Sequence, residues 1–188
     1  LLEKGLAANP DVWYITFLIG YNYYFLLGDP AKGAEYIMKS AGLPNRPAYL
    51  PGLATRMAVE AGSPDTALAF LEARWQETQD QETREALESR MKEVIIERDL
   101  QVLERAVDVY HATSGTFPMT LAALVNGRIG TALPQEPFGG EYLLDSKTGR
   151  VSSSTHSNRL RTFTKFKQAP SALLPKIEPA YVFPRTWE

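Results

Sequence analysis

Cysteine is absent from the 188 residues of this chain, which excludes disulfides, thiolate chemistry and cysteine-based zinc sites. Histidine is nearly absent: His111 and His156 are the two examples, and neither has companions at ligand spacing. Phosphate-binding glycine loops, the Gly-x-Ser-x-Gly nucleophile motif and the His-Glu-x-x-His zinc motif are missing as well. The sequence therefore predicts a protein that is not an enzyme, with no catalytic residues, no cofactor and no metal site.

The chain also lacks an excess of charge of either sign. Lys and Arg number 20 and Asp and Glu number 22, which gives a formal net charge of −2. This balance offers no overall attraction to a phosphate backbone, so we expect no nucleic-acid partner. Basic residues alternate with apolar ones after residue 158, and we interpret them as a solvated strand edge, with a site for an acidic partner or nucleic acid as the alternative. They are Arg159, Arg161, Lys165 and Lys167.

A hydrophobic run long enough to cross a membrane is missing too. Residues 12–27 carry no charge and contain seven aromatic rings. The run is nevertheless shorter than the ~20 apolar residues that a spanning helix needs. Gly20 and Asn22 lie inside it, and Asp11 and Asp29 flank it. We therefore expect a buried helix, with no membrane insertion by this part of the chain.

A repeat with a period of 34 residues is present in the first half of the sequence. It relates Pro10 to Pro44, Gly20 to Ala54, Gly28 to Gly62, Pro30 to Pro64, Gly33 to Ala67, and Ile37 to Leu71. A glycine that can turn left-handed, followed by a capping residue and a proline, indicates the end of one helix and the start of another. The pattern predicts helices over residues 11–27, 30–41, 47–61 and 64–76. Residues 1–9 fit the second helix of a preceding unit.

Over residues 1 to about 76 the chain resembles the tetratricopeptide repeat family, whose unit is a pair of antiparallel helices. Ile19, Gly20 and Tyr23 fit the pattern of the first helix, and Gly33 and Ile37 fit the second. The first helix is one residue longer than the family pattern before its glycine. The resemblance implies antiparallel helix-pair repeats that bind a protein or peptide on their inner, concave side.

The resemblance assigns four aromatic residues of the uncharged run to that concave side. They are Tyr14, Phe17, Tyr21 and Tyr24, which form a possible protein-binding surface. The residues alone leave a second interpretation open, because aromatic stripes at helical spacing also form cores. In that case the rings pack on the rest of the chain or on a neighbouring unit.

A different pattern begins at Asp80. Residues 81–113 contain no proline or glycine and carry one apolar stripe, which predicts a helix of about 45 Å. Residues 142–144 and 150–153 flank a turn that contains Asp145 and Gly149, which predicts a small β-hairpin.

Residues 95 to about 155 resemble the soluble heads of type II secretion pseudopilins. The matching residues are Tyr110, Gly115, Phe117, Pro118, Leu121, Leu124, Pro134, Pro137, Phe138, Gly139, Tyr142 and Gly149. Glu136 replaces the usual aspartate, and the apolar membrane-inserting half-helix of the family is absent. Asp145 is the only plausible calcium ligand, and one carboxylate is too few. The resemblance implies a link to a bacterial secretion, pilus or envelope system, with a periplasmic or envelope location.

The sequence as a whole predicts a mainly α fold with TPR-like repeats over 1–79, a long helix and hairpin module over 80–158, and a tail over 159–188. Four prolines in the tail favour an extended path packed on the body. We expect a protein-interaction or assembly module. The alternative is a purely structural region of a larger envelope protein, without its own binding groove. Because the chain begins with Leu1, we infer that it is part of a longer protein; neither the partner nor the oligomeric state follows from these residues.

Overall fold

The structure, a computed structural model, describes residues 1–125 and 132–160. Nearly all of the predicted tail therefore lies outside the described residues. Within them the chain is mainly helical with one two-stranded antiparallel sheet, which confirms the predicted mainly α fold. The helices are α1 (Leu2–Ala8), α2 (Trp13–Tyr21), α3 (Pro30–Gly42), α4 (Leu50–Glu60), α5 (Pro64–Glu77) and α6 (Gln81–Ser114). A π-helical turn (Asn22–Leu26), a 3-10 turn (Leu121–Leu124) and strands β1 (Tyr142–Leu144) and β2 (Val151–Ser153) complete the order.

Contacts within the chain divide the described residues into two compact units. Unit 1 comprises Leu1–Val94 together with Leu160, and unit 2 comprises Ile95–Arg159. The division falls inside α6, so this helix contributes its first part to one unit and its second part to the other. The boundary predicted between residues 79 and 80 coincides instead with the start of α6.

The ends of the helices in unit 1 follow from local residues. Gly28 and Gly62 adopt the left-handed backbone that ends a helix, with φ of 71° and 84°. The Asp29 carboxylate accepts a hydrogen bond from the backbone N–H of Lys32 at 3.1 Å and so caps α3. Ser63 holds the corresponding position before α5, but its side chain makes no such bond.

Two glycines allow α3 to approach α2 and the π-helical turn closely. A Cβ atom on Gly20 would lie 2.6 Å from Cγ1 of Ile37, and one on Gly33 would lie 2.5 Å from the backbone nitrogen of Tyr24. Gly20 faces a later part of α3 than Tyr24 does, so the two segments run antiparallel. The short distances leave no room for a side chain at either glycine.

The π-helical turn changes the direction in which the side chains after Tyr21 point. The backbone N–H of Leu27 donates to the carbonyl of Asn22 at 2.9 Å, five residues earlier. A π turn holds more residues than an α turn, so each residue advances less around the axis. Tyr24 is thereby turned toward α3, in line with the buried Thr16 and Gly20.

Two buried threonines of unit 1 differ in their hydrogen bonding. Thr16 and Thr55 are both fully buried. Oγ1 of Thr55 donates to the carbonyl of Pro51 at 2.8 Å, whereas Oγ1 of Thr16 has no partner among the residues that the structure describes. Leaving a buried hydroxyl unpaired costs about 1–3 kcal/mol.

We expect Thr16→Val to raise the free energy of unfolding by about 1 kcal/mol, because the substitution removes an unpaired polar group. The matched change Thr55→Val should lower it by about 1 kcal/mol, because a hydrogen bond is lost. Urea denaturation of both variants measures the difference. Destabilisation by Thr16→Val would contradict the unpaired state of its hydroxyl.

Unit 2 has its own core, formed by the second part of α6, the 3-10 turn and β2. Its buried residues are Ile96, Leu100, Leu103, Ala106, Val107, Leu121, Leu124 and Val151. The predicted hairpin is confirmed, with Tyr142 opposite Ser153 and Leu144 opposite Val151. Gly149 turns the hairpin with φ of 73°, and a Cβ atom there would lie 2.5 Å from Cε1 of Phe117.

Candidate protein-binding surface

Five large apolar side chains are exposed along α2 and the π-helical turn, the fifth being Leu26 at the end of the turn. Tyr14, Leu18, Tyr21 and Phe25 are 53%, 42%, 42% and 38% exposed, respectively. The spacing of four and three residues places Tyr14, Leu18 and Tyr21 on one side of α2. The ring of Phe25 lies against that of Tyr21, with the centroids 4.7 Å apart. We call Tyr14, Leu18, Tyr21 and Phe25 the α2 seam. Its exposed side chains make it the candidate binding surface of unit 1.

Three of the four residues predicted to form a binding surface lie on or beside the seam. Tyr14 and Tyr21 belong to it, and Phe17 is half-buried next to it. The sequence did not predict Leu18 and Phe25 as part of this surface. Residues 14, 17, 21 and 24 have a spacing that fits one side of a helix as well as the spacing of residues 14, 18, 21 and 25 does. Packing on α3 selects between the two stripes.

The prediction for Tyr24 is wrong. Tyr24 is fully buried, and its backbone touches Gly33 of α3. Its hydroxyl donates to Oε2 of Glu60 at 3.1 Å, with the carbonyl of Met57 3.4 Å away. The physical reason is the π-helical turn, which rotates Tyr24 from the edge of the stripe into the core between α2, α3 and α4.

The rings of this segment support one another along the helix. Ring centroids lie 6.3 Å apart between Trp13 and Phe17, 6.4 Å between Phe17 and Tyr21, and 4.7 Å between Tyr21 and Phe25. Contacts of this kind restrict the rotamers of neighbouring rings, so less side-chain entropy remains to be lost when a partner binds. The seam is therefore partly preorganised for contact.

A shallow groove in unit 1 is the main alternative to the seam. It has a volume of about 520 Å³ and lies between α4, α5 and the first part of α6, with Pro51, Leu71 and Leu87 among its lining residues. At its rim the guanidinium of Arg90 donates to the carbonyl of Gly52 at 3.3 Å and pairs with Glu93 at 2.6 Å. These intramolecular bonds already engage the charged groups, so the groove offers a ligand less than the seam does.

Glu136 organises the loop before β1. Its carboxylate accepts hydrogen bonds from the backbone N–H groups of Phe138 and Gly140 at 2.9 and 2.8 Å and from the hydroxyls of Ser153 and Thr155. Burial raises the pKa of Glu136, but these bonds outweigh it and hold the pKa below its usual value. A carboxylate held in this way fixes the loop and is poorly placed to transfer protons.

Asp145 serves the hairpin turn. It accepts hydrogen bonds from the hydroxyl of Thr148 at 2.7 Å and from the backbone N–H of Lys147 at 2.9 Å, and these lower its pKa. Over residues 1–125 and 132–160, no group of three or more His, Asp or Glu side chains is arranged to hold a metal ion. Arg159, expected at a solvated edge, is instead ion-paired to Glu97 and Glu104 of α6, so that expectation is wrong for this residue.

A buried acid in unit 2 depends on a tyrosine. The hydroxyl of Tyr142 donates to Oδ2 of Asp99 at 2.9 Å, and Asp99 is 6% exposed. Burial raises the pKa of Asp99, while Arg98 and Tyr142 partly counteract the rise. The folded chain therefore releases this proton at higher pH than the unfolded chain, so the contribution of Asp99 to stability falls as pH rises through its folded pKa.

We expect Tyr142→Phe to lower the free energy of unfolding by about 2 kcal/mol at pH 7, because the Asp99 carboxylate loses a donor. The substitution should raise the pKa of Asp99 further. The loss in the free energy of unfolding should become smaller as the pH falls, because the Asp99 carboxyl becomes protonated in the folded and the unfolded state. Urea unfolding at pH 7 and pH 4 tests this. The exposed Tyr49→Phe is the control and should change stability by less than about 0.5 kcal/mol. A loss that is independent of pH would contradict the role of Asp99.

No described helix of this chain is long and apolar enough to cross a membrane. Comparison with known proteins gave no match to a protein-family model, to a curated protein or to a solved structure.

Proposed function

We propose that this chain is a non-enzymatic protein-interaction module, built on TPR-like helix pairs, whose binding surface is the α2 seam. One observation carries the proposal: four large apolar side chains stand exposed in a row on a helical segment without any charged residue. Contiguous exposed apolar patches on proteins mark sites of interaction. An aromatic-rich patch also has the composition of the residues that dominate binding energy at interfaces.

Two further features support helix-pair repeats as the scaffold. α2 and α3 pack at glycines in an antiparallel arrangement, and the glycine–cap–proline signal recurs 34 residues later at Gly62 and Pro64. The setting that we propose is an assembly of the bacterial envelope, on the resemblance of unit 2 to pseudopilin heads. In the alternative function, a purely structural region, the seam is covered by another part of the same polypeptide.

Site-specific photo-crosslinking tests the proposal. A benzoylphenylalanine replaces Tyr21 in the seam, or Leu143, which is 47% exposed on β1, as a control. In cells that produce the protein natively, we expect position 21 to give discrete adducts with another protein, identified by mass spectrometry, and position 143 to give none of them. Adducts within the same polypeptide would favour the structural alternative. The absence of any adduct at position 21 would contradict both the protein-binding and the structural role of the seam.

A further inference from the structure

We propose that the α2 seam receives a single α-helix of a partner protein, and that this helix presents an apolar face without charged residues beside it. The inference rests on the proposed function and specifies the kind of partner. Its two parts, the helical form and the uncharged flanks, come from different observations on the seam.

The spacing of the seam favours a helical partner. Tyr14, Leu18 and Tyr21 repeat every 3.5 residues on average within α2, which is the periodicity by which two helices pack side by side, and Phe25 lies against Tyr21 in the π-helical turn. From Tyr14 to Phe25 the seam is roughly 17 Å long, or about three helical turns. An extended peptide gains much of its affinity from main-chain hydrogen bonds to a sheet edge, which the surface of a helix does not offer.

The chain itself shows that α2 accepts another helix beside the seam. Gly5 of α1 faces Ile15 of α2, where a Cβ atom on the glycine would lie 3.9 Å from the isoleucine side chain. α1 has only seven residues, whereas α3, which packs on another side of α2, has 13. The side chains of the seam remain exposed as far as Phe25. A partner helix can therefore pack on the exposed side of α2 in the way that α1 already packs beside it.

The flanks of the seam determine which helices fit. The residues beside it are Ile15, Phe17 and Asn22, and none of them is charged. In most helix pairs these flanking positions carry Glu and Lys that form ion pairs across the interface. A Lys or Glu on the partner would here lose hydration without gaining an ion pair, which costs free energy. The seam therefore selects a helix whose flanks are uncharged.

Two synthetic peptides of 18 residues and identical composition test the inference. In the seam peptide, leucines repeat at alternating spacings of three and four among Ala, Gln and Ser; in the control peptide, the same leucines are spread around the helix. We expect the seam peptide to bind with 1:1 stoichiometry, at least tenfold more tightly than the control peptide, by fluorescence anisotropy. Hydrogen exchange should slow in residues 12–27.

Substitutions locate the binding. Leu18→Glu should weaken binding of the seam peptide at least tenfold, whereas Met119→Glu, at an 80% exposed residue of unit 2, should leave it unchanged. Tyr14→Glu is a second seam variant if circular dichroism shows that Leu18→Glu is unfolded.

Four outcomes would overturn the inference. They are binding of neither peptide, equal binding of both, self-association of the chain that Leu18→Glu abolishes, and binding to phosphatidylcholine vesicles that Leu18→Glu abolishes. The third would assign the seam to a second copy of the chain, and the fourth to a lipid surface. If crosslinks from position 21 to another protein are found while the peptides bind equally, the proposed function stands and the helical partner does not.

Discussion

Replacing Gly33 by alanine is expected to lower the free energy of unfolding by about 3 kcal/mol, at the upper end of the usual range for overpacking. The three atoms nearest to the added Cβ all belong to Tyr24: its backbone nitrogen at 2.5 Å, its Cβ at 2.6 Å and its Cα at 2.7 Å. Two of these atoms are backbone atoms, which no rotamer change can move, so the π-helical turn and α3 must separate. Urea denaturation with far-UV circular dichroism measures the loss.

Gly52 provides the matched control for Gly33. It lies in α4, and a Cβ atom built on it meets no other atom within 4 Å. Because alanine is favoured over glycine in a helix, Gly52→Ala should raise the free energy of unfolding by up to about 1 kcal/mol. Effects of the same sign and size in the two variants would mean that the backbones of α3 and the π-helical turn are not in contact at Gly33.

Replacing Arg159 by methionine is expected to cost more, about 3–5 kcal/mol, because the buried carboxylate of Glu97 loses two charged hydrogen bonds from the guanidinium. The guanidinium donates to both oxygens of Glu97 at 2.8 Å each, and to those of Glu104 at 2.7 and 3.1 Å. Burial alone would lower the pKa of Arg159, but these bonds outweigh burial and raise it above its usual value. Glu97 is only 3% exposed, so water cannot replace the lost donor.

Arg90→Met serves as the control for Arg159→Met. Arg90 pairs with Glu93 at 2.6 Å, and both side chains are partly exposed, at 22% and 28%. Pairs of this kind contribute about 0–1 kcal/mol, so the change should be small. Chemical denaturation of both variants provides the comparison. A loss at Arg159 no larger than the loss at Arg90 would show that the Glu97–Arg159–Glu104 cluster is solvated.

Features set by neighbouring residues could be predicted from the sequence. α3 and α5 begin at Pro30 and Pro64 as expected, because a left-handed glycine followed by a proline specifies a boundary without help from the rest of the chain. The hairpin followed from strand-forming residues around a glycine turn. α4 begins at Leu50, three residues later than predicted, since the helical pattern alone does not fix where a proline-rich segment first turns.

Features set by distant contacts could not be predicted. Arg159 and Glu97 are 62 residues apart, and nothing near either residue indicates the ion pair. The identity of the seam was ambiguous for a related reason. Tyr24 and Phe25 are adjacent aromatic residues in the π-helical turn, and the sequence does not show that Tyr24 is the one that packs against Gly33.

The π-helical turn at Asn22–Leu26 has a consequence for changes in chain length. A substitution there alters one side chain. The deletion of one residue would instead allow the turn to relax into an α-helix, and would rotate the residues before it by about 100° relative to those after it. Either the α2 seam would then point in a different direction, or the contact of Tyr24 with Gly33 would be lost. In evolutionary terms, we expect descendants of this chain to accept many replacements on the exposed side of the segment while selection removes insertions and deletions within it.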